Sequence, residues 1–338
     1  MKDSMGRWAG RGAAVVCLVL FVMVVSGPTS SSSAEDAGTW STKAPLPTPR
    51  GEVGVAALNG KIYVLGGTAL GRWDSPLNHE YDPATDRWRE RSPLPHGLSH
   101  VGTVGLDGKL YAVGGFTNIV HVGAVDLVFQ YDPAVDQWHT LAPLSSPRAS
   151  VGVVAVGGKI HAIGGRGLDK ITVGTHEIYD PATNRWSPAT PLLTPRDHMG
   201  VIVIDGKIHV VGGRTANQTD NTNLHDVYDP ATDRWTAAAP MPNARSSGAV
   251  AYYQGLLLYA GGECKKLDPT SKFGGGETFD ENEAYDPNSD RWLTLVPLPA
   301  GRHAYGAAVV GDAVYFTGGT LGCGGQPLTD QLLVFSRK

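Results

Sequence analysis

An all-β propeller of six blades, each with four antiparallel strands, is predicted by three features of this 338-residue sequence. A glycine pair recurs at 66–67, 114–115, 164–165, 212–213, 261–262 and 318–319, a period of 48 to 57 residues that belongs to propellers and solenoids. A Tyr-Asp-Pro tripeptide follows five of the pairs, starting at Tyr81, Tyr131, Tyr179, Tyr228 and Tyr285, and a tryptophan stands five residues after each proline. The composition agrees, since 44 Gly, 23 Pro and 8 Trp favour tight turns over long helices. A content of 41% hydrophobic and 18% charged residues excludes a disordered chain. With 28 basic against 32 acidic side chains the formal charge is -4, which offers no attraction for a phosphate backbone, so no nucleic-acid partner is expected.

Residues 1–34 have the order of a secretory signal. Lys2, Arg7 and Arg11 precede an apolar stretch from Ala13 to Val25, and small residues lead to Ser32 and Ala34. The stretch is shorter than the roughly 20 residues of a membrane span, so cleavage near Ala34 and a secreted or periplasmic product are expected. Contact with a membrane would come only through this segment if it were retained. Its removal leaves residues 35–338 as the propeller, with a formal charge of -6.

Within each unit the strands can be placed in turn. Val53–Leu58 and Lys61–Leu65 are apolar runs separated by Asn59-Gly60, a two-residue hairpin signal. The glycine pair ends the second strand, Tyr-Asp-Pro ends the third, and the tryptophan opens the fourth. Trp40 with Ala44-Pro45-Leu46-Pro47 reads as a fourth strand lacking its first three, whereas residues 304–335 supply three strands lacking a fourth. The N-terminal strand should therefore close the ring in the last blade and remove an exposed sheet edge.

These co-registered signals resemble the Kelch repeat, from about Trp40 to Phe335. The resemblance implies a binding surface on the face where the connections from strand two to three, and from strand four to the next blade, surround the channel mouth. On that face Arg50, Arg148, Arg196, Arg245 and Arg302 recur sixteen residues before their glycine pairs, and are expected to bond loop carbonyls or carboxylates structurally. Residues that break the repeat are the candidate ligand-binding set: Glu52, His100, Asp197, His198, Arg166, Arg214 and Glu263, together with Ser150 and Ser247. In animal Kelch adaptors, Arg and Ser side chains from these loop types bind acidic peptides, which implies such a part for Arg166, Arg214, Ser150 and Ser247. Export argues against a ubiquitin-ligase role.

The partner expected is a protein or glycan, with an acidic one accommodated by Arg166 and Arg214. The alternative is a metal-free sugar epimerase like the exported six-bladed sialic acid mutarotases of bacteria. The Cys-linked Tyr copper site of galactose oxidases cannot be placed, and the iron-binding Glu/Asp/His spacing of plant specifier proteins is lacking. No cofactor or metal is expected, because there is no phosphate-binding glycine loop and no zinc-type Cys/His spacing. The acidic run Glu277, Asp280, Glu281, Glu283 reads as a solvated loop, Gly274-Gly275-Gly276 as a flexible segment, and His161 and His209 as repeat framework at a Tyr position. Cys264 and Cys323 fall just beyond the glycine pairs of blades five and six, so a disulfide is the hypothesis, with two free thiols on separated loops as the alternative.

Overall fold

The computed structural model describes residues 37–119, 121–268, 270 and 275–338. The expected export signal, residues 1–34, lies outside the described residues, as does Gly274. Six four-stranded antiparallel sheets form the ring, with no α-helix among the described residues. Blade 1 comprises Gly54–Leu58, Lys61–Leu65, Asn78–Asp82 and Arg87–Arg91, and the pattern repeats through blade 5. In blade 6 the strand Thr39–Lys43 pairs with Leu332–Ser336, so chain start and chain end share one sheet.

Each repeated signal has a physical task. In the first hairpin, Asn59 and Gly60 both adopt positive φ (51° and 73°), the type I′ geometry whose twist matches the flanking strands. The glycine pair is the joint between blades. A Cβ on Gly66 would lie 2.3 Å from the carbonyl oxygen of Leu98 in the next blade, and the Gly67 amide donates to that same oxygen at 2.8 Å. Only glycine allows that approach. At the rim, each tryptophan indole donates to a carbonyl of the preceding blade: Trp88 to Ala44, Trp138 to Ser92, Trp186 to Ala142, Trp235 to Thr190 and Trp292 to Ala239. The Tyr of Tyr-Asp-Pro packs on that indole, with Tyr81 and Trp88 centroids 4.9 Å apart, and its hydroxyl donates to Asp86 at 2.7 Å. Asp86 in turn accepts from the Ala44 amide across the blade boundary.

Trp40 repeats this arrangement at the closure, donating to the Val296 carbonyl at 3.1 Å and packing on Phe316 and Phe335. Trp40 is half-buried, so Trp40→Ala should cost about 2 kcal/mol, below the roughly 3–5 of a fully buried aromatic. Chemical denaturation checks this, and an unchanged midpoint would mean that the Thr39–Lys43 strand does not hold the ring.

The repeated arginines are fully buried and serve the blades alike. Nη1 of Arg148 donates to Gly164 O (2.8 Å) and Thr175 O (3.0 Å), and Nη2 to Glu177. Arg196 and Arg245 bond the matching carbonyls and the carboxylates of Asp226 and Glu283, while Arg50 uses His79 and Arg302 uses Gln331. The acidic run proves not to be a solvated loop. It lies in the long strand Gly276–Asp286, paired to Leu256–Leu267, because Glu283 is needed inside as the partner of Arg245 and Phe279 is buried beside it.

Candidate functional site at the channel mouth

The axial channel, a cavity of about 470 Å3, is walled by strand-one residues such as Gly54, Ala56, Gly102, Val153 and Val250, and carries no carboxylate, imidazole or guanidinium. The chemistry gathers at its mouth. There Glu52, His100, Ser150, His198, Ser247 and Ala304 all take positive φ between 52° and 60°. This unusual conformation turns five of the six amides towards a neighbour: His100 donates to Glu52 O, Ser150 to His100 O, Ser247 to His198 O, Ala304 to Ser247 O, and Glu52 to Ala304 O, at 2.7–3.0 Å. The resulting backbone girdle lets these residues line a cavity of about 130 Å3. Five of the candidate residues thus stand together in it.

Asp197, Arg214 and Glu263 form a clamp beside the girdle. Arg214, only 1% exposed, donates from Nε to Asp197 (3.1 Å) and from Nη1 to Glu263 (2.6 Å). Its Nη2 lies 2.9 Å from His198 Nε2 and 3.2 Å from His121 Nε2. Burial opposes the charge of Arg214, but Glu263 and Asp197 outweigh it and hold the guanidinium protonated. Arg166 is also buried. Its Nη1 donates to Ala216 O and stands 3.7 Å from Asp197. The two arginines expected to present open forks to an acidic ligand are therefore engaged internally, because the buried carboxylates of Asp197 and Glu263 require cationic partners.

The histidines are arranged asymmetrically. His198 Nδ1 meets Asp197 Oδ1 at 2.5 Å, its Nε2 lies 3.3 Å from Ser150 Oγ, and Thr172 donates to the other Asp197 oxygen. His100 has Nδ1 against Ser99 Oγ and Nε2 3.1 Å from Glu52 Oε2. His121 arrives from the strand two-to-three connection of blade 2 and reaches Arg214 of blade 4. Burial, with His100 and His198 alongside, pushes His121 down to about 2, and burial with Arg214 lowers His198. For Glu52, burial would raise the carboxyl, yet His100 outweighs it and holds it well below the usual carboxylate range. Burial likewise opposes ionisation of Glu263, and His303 and Arg214 override it.

Above the clamp a second cavity of about 240 Å3 is lined by Glu52, Trp73, His121, Gln218, Glu263 and His303, among others. Trp73 is 48% exposed there. Its wall also includes Gly324 to Gln326, in the connection that Cys264 and Cys323 tie to blade 5 through a disulfide with Cα atoms 4.9 Å apart. The sequence reading missed His121, His303, Trp73 and Gln218. His303 had a legible signal, since it occupies the register of Asp197. His121, Trp73 and Gln218 sit in unrepeated connections, where no register marks them.

Comparisons with known proteins agree with this architecture. Residues 142–319 match the family model described as the KLHDC2/KLHL20/DRC7 Kelch-repeats domain, and residues 97–145 match the Kelch motif. A stretch of 46 residues is 48% identical to human (Homo sapiens) Kelch-like protein 34, spanning 14% of this chain and 7% of that protein. Among solved structures, one titled "Structure of YjhT" superposes with a TM-score of 0.74 at 18% identity, covering 88% of this chain and 100% of that chain. At that identity the likeness speaks for the fold alone.

Proposed function

The chain belongs to the Kelch-repeat family, and from that premise we propose that it is a binding propeller whose channel-mouth cavity takes a neutral carbohydrate. The observation that carries the reading is the lining of the 240 Å3 cavity: a half-exposed indole, Trp73, with Glu52, Glu263, Gln218 and Gln326. An indole offers a flat apolar face for the C–H face of a sugar ring, while carboxylates and amides bond its hydroxyls. The cavity is below the roughly 300–1,000 Å3 of drug-sized sites, which suits a sugar unit rather than a large cofactor. Two carboxylates held ionised on the wall, with Arg166 and Arg214 already engaged, disfavour an acidic ligand.

The test is a glycan array followed by saturation-transfer NMR with purified protein. Transfer to protons of a neutral sugar is the expected result; no hit among neutral glycans, or hits only among acidic ones, would remove the reading.

A second reading, an epimerase acting at the anomeric centre, is favoured by Glu52 and Glu263 facing one cavity, since such chemistry needs a proton donor and an acceptor. Binding leads because both groups are ionised at neutral pH, leaving neither as a ready acid. Proton NMR of freshly dissolved sugar anomers, sialic acid included, decides: accelerated equilibration at micromolar protein would establish catalysis.

A further inference from the structure

The 240 Å3 cavity is one-sided in its electrostatics. Glu52 and Glu263 both line it, and no lysine or arginine does. Each carboxylate uses one oxygen internally: Oε2 of Glu52 lies 3.1 Å from His100 Nε2, and Oε2 of Glu263 accepts from Arg214 Nη1 at 2.6 Å. That leaves Oε1 of each for a ligand. The two groups are close enough for Glu52 to oppose the ionisation of Glu263. Arg166 and Arg214 answer Asp197 and Glu263, whereas among the described residues Glu52 has only an imidazole as its ion-pair partner.

A second observation is independent of the carboxylates. His303 and Thr320, each 1% exposed, line the same cavity, and among the described residues His303 Nδ1 and Thr320 Oγ1 have no hydrogen-bond partner. His303 Nε2 stands 3.1 Å from the Gly322 carbonyl and so carries the hydrogen, which makes Nδ1 an acceptor. A buried acceptor left open calls for a donor from the ligand. Trp73 adds a half-exposed indole, whose face attracts a cation as readily as it packs on a sugar ring.

We propose that the sugar selected by this cavity carries an unsubstituted, protonated amine, held by Glu52 and Glu263.

The inference rests on the sugar reading and narrows it. An ammonium brings three donors and a positive charge to a wall of acceptors, where a hydroxyl brings one donor and no charge. Its charge relieves the repulsion between two ionised carboxylates, and hydrogen bonds between ionised partners are roughly twice as strong as neutral ones. The group needs only the free carboxylate oxygens and the open acceptors. Arg214 therefore keeps its bonds to Asp197, Glu263, His121 and His198.

The purified full-length protein is titrated calorimetrically at neutral pH with glucosamine, galactosamine and mannosamine, each beside its parent hexose and its N-acetyl form. At least one amine should bind roughly tenfold or more tighter than both of its neutral counterparts, an advantage that shrinks as salt is raised. Glu52→Gln, which keeps the side-chain size and removes the charge, should abolish most of that preference. Neutral forms bound as tightly as the amine in every set would overturn the inference and leave the sugar reading standing. Binding of amines alone would do the reverse, and no binding of any member would remove both. The comparison within the unaltered protein decides even if Glu52→Gln does not fold, and a preference undiminished in folded Glu52→Gln would also overturn the assignment.

Discussion

Replacing Arg148 with alanine should destabilise the propeller by about 3–5 kcal/mol, because it strands the buried Glu177 carboxylate as well as the carbonyls of Gly164 and Thr175. On a chain of this size the melting temperature should fall by roughly 6–15 °C. The arginine cannot be replaced by lysine, since one ammonium does not span two carbonyls and a carboxylate as the planar fork does. Arg148→Met combined with Glu177→Leu should recover part of the loss, because it removes both buried charges instead of orphaning one. Denaturant titration of the three variants checks this; a loss under about 1 kcal/mol in Arg148→Ala would mean that these bonds are replaced by water at little cost.

The second large effect is loss of stability in mild acid. His79, His161, His176, His209 and His225 are buried, and burial pushes each down to about 4. In blades 3 and 4 the hydrogen bonding fixes the proton positions. His176 Nδ1 faces the carbonyl of Thr190 and must carry the hydrogen, so its Nε2 accepts from His161 Nδ1 at 2.9 Å. His225 repeats this with Ala239 and His209. A proton on Nε2 of His176 or His225 breaks the pair. In the unfolded chain these imidazoles have values near 6.5, so between about 6.5 and 4 the unfolded state binds more protons than the folded one. Stability is therefore full above pH 6.5 and declines as the pH falls towards 4, each imidazole contributing on the order of 1–3 kcal/mol.

Blade 1 carries Tyr63 with Asn78 at the positions of these histidine pairs, and Asn78 donates to the same type of carbonyl, Ser92 O, as Asn282 of blade 5 does to Val296 O. Converting blades 3 and 4 to that form (His161→Tyr, His176→Asn, His209→Tyr, His225→Asn) should flatten the melting-temperature profile between pH 6.5 and 4. A profile as steep as that of the parent protein would place the acid sensitivity elsewhere.

What could be read from the sequence was whatever the ring repeats. Glycine pairs, Tyr-Asp-Pro and tryptophan recur because every blade faces the same two neighbours, so the blade number, the closing strand at Trp40 and the role of Arg148 followed from register. Girdle residues such as Glu52 and His198 were found because they vary at a repeated position. The direction of the arginine forks was not legible: Arg214 turns to Glu263, 49 positions away, and only the ring geometry sets that distance. His121 was invisible for a related reason, since its place depends on an unrepeated connection crossing to blade 4. The acidic strand of blade 5 was misread because its charges hide an inward Glu283 that the framework arginine requires.

A framework shared by all blades and the proposed ligand cavity made by their differences should respond differently to substitution. The most direct test is to measure, for one neutral glycan that binds, affinity and melting temperature together in Trp73→Ala and Arg148→Ala. Trp73→Ala should weaken binding by roughly tenfold or more with little change in melting temperature, because its half-exposed ring supports the ligand and not the core. Arg148→Ala should show the opposite, a lowered melting temperature with affinity retained at a temperature where it is folded. Undiminished binding in Trp73→Ala, or equal loss in both variants, would contradict the placement of the site at the channel mouth.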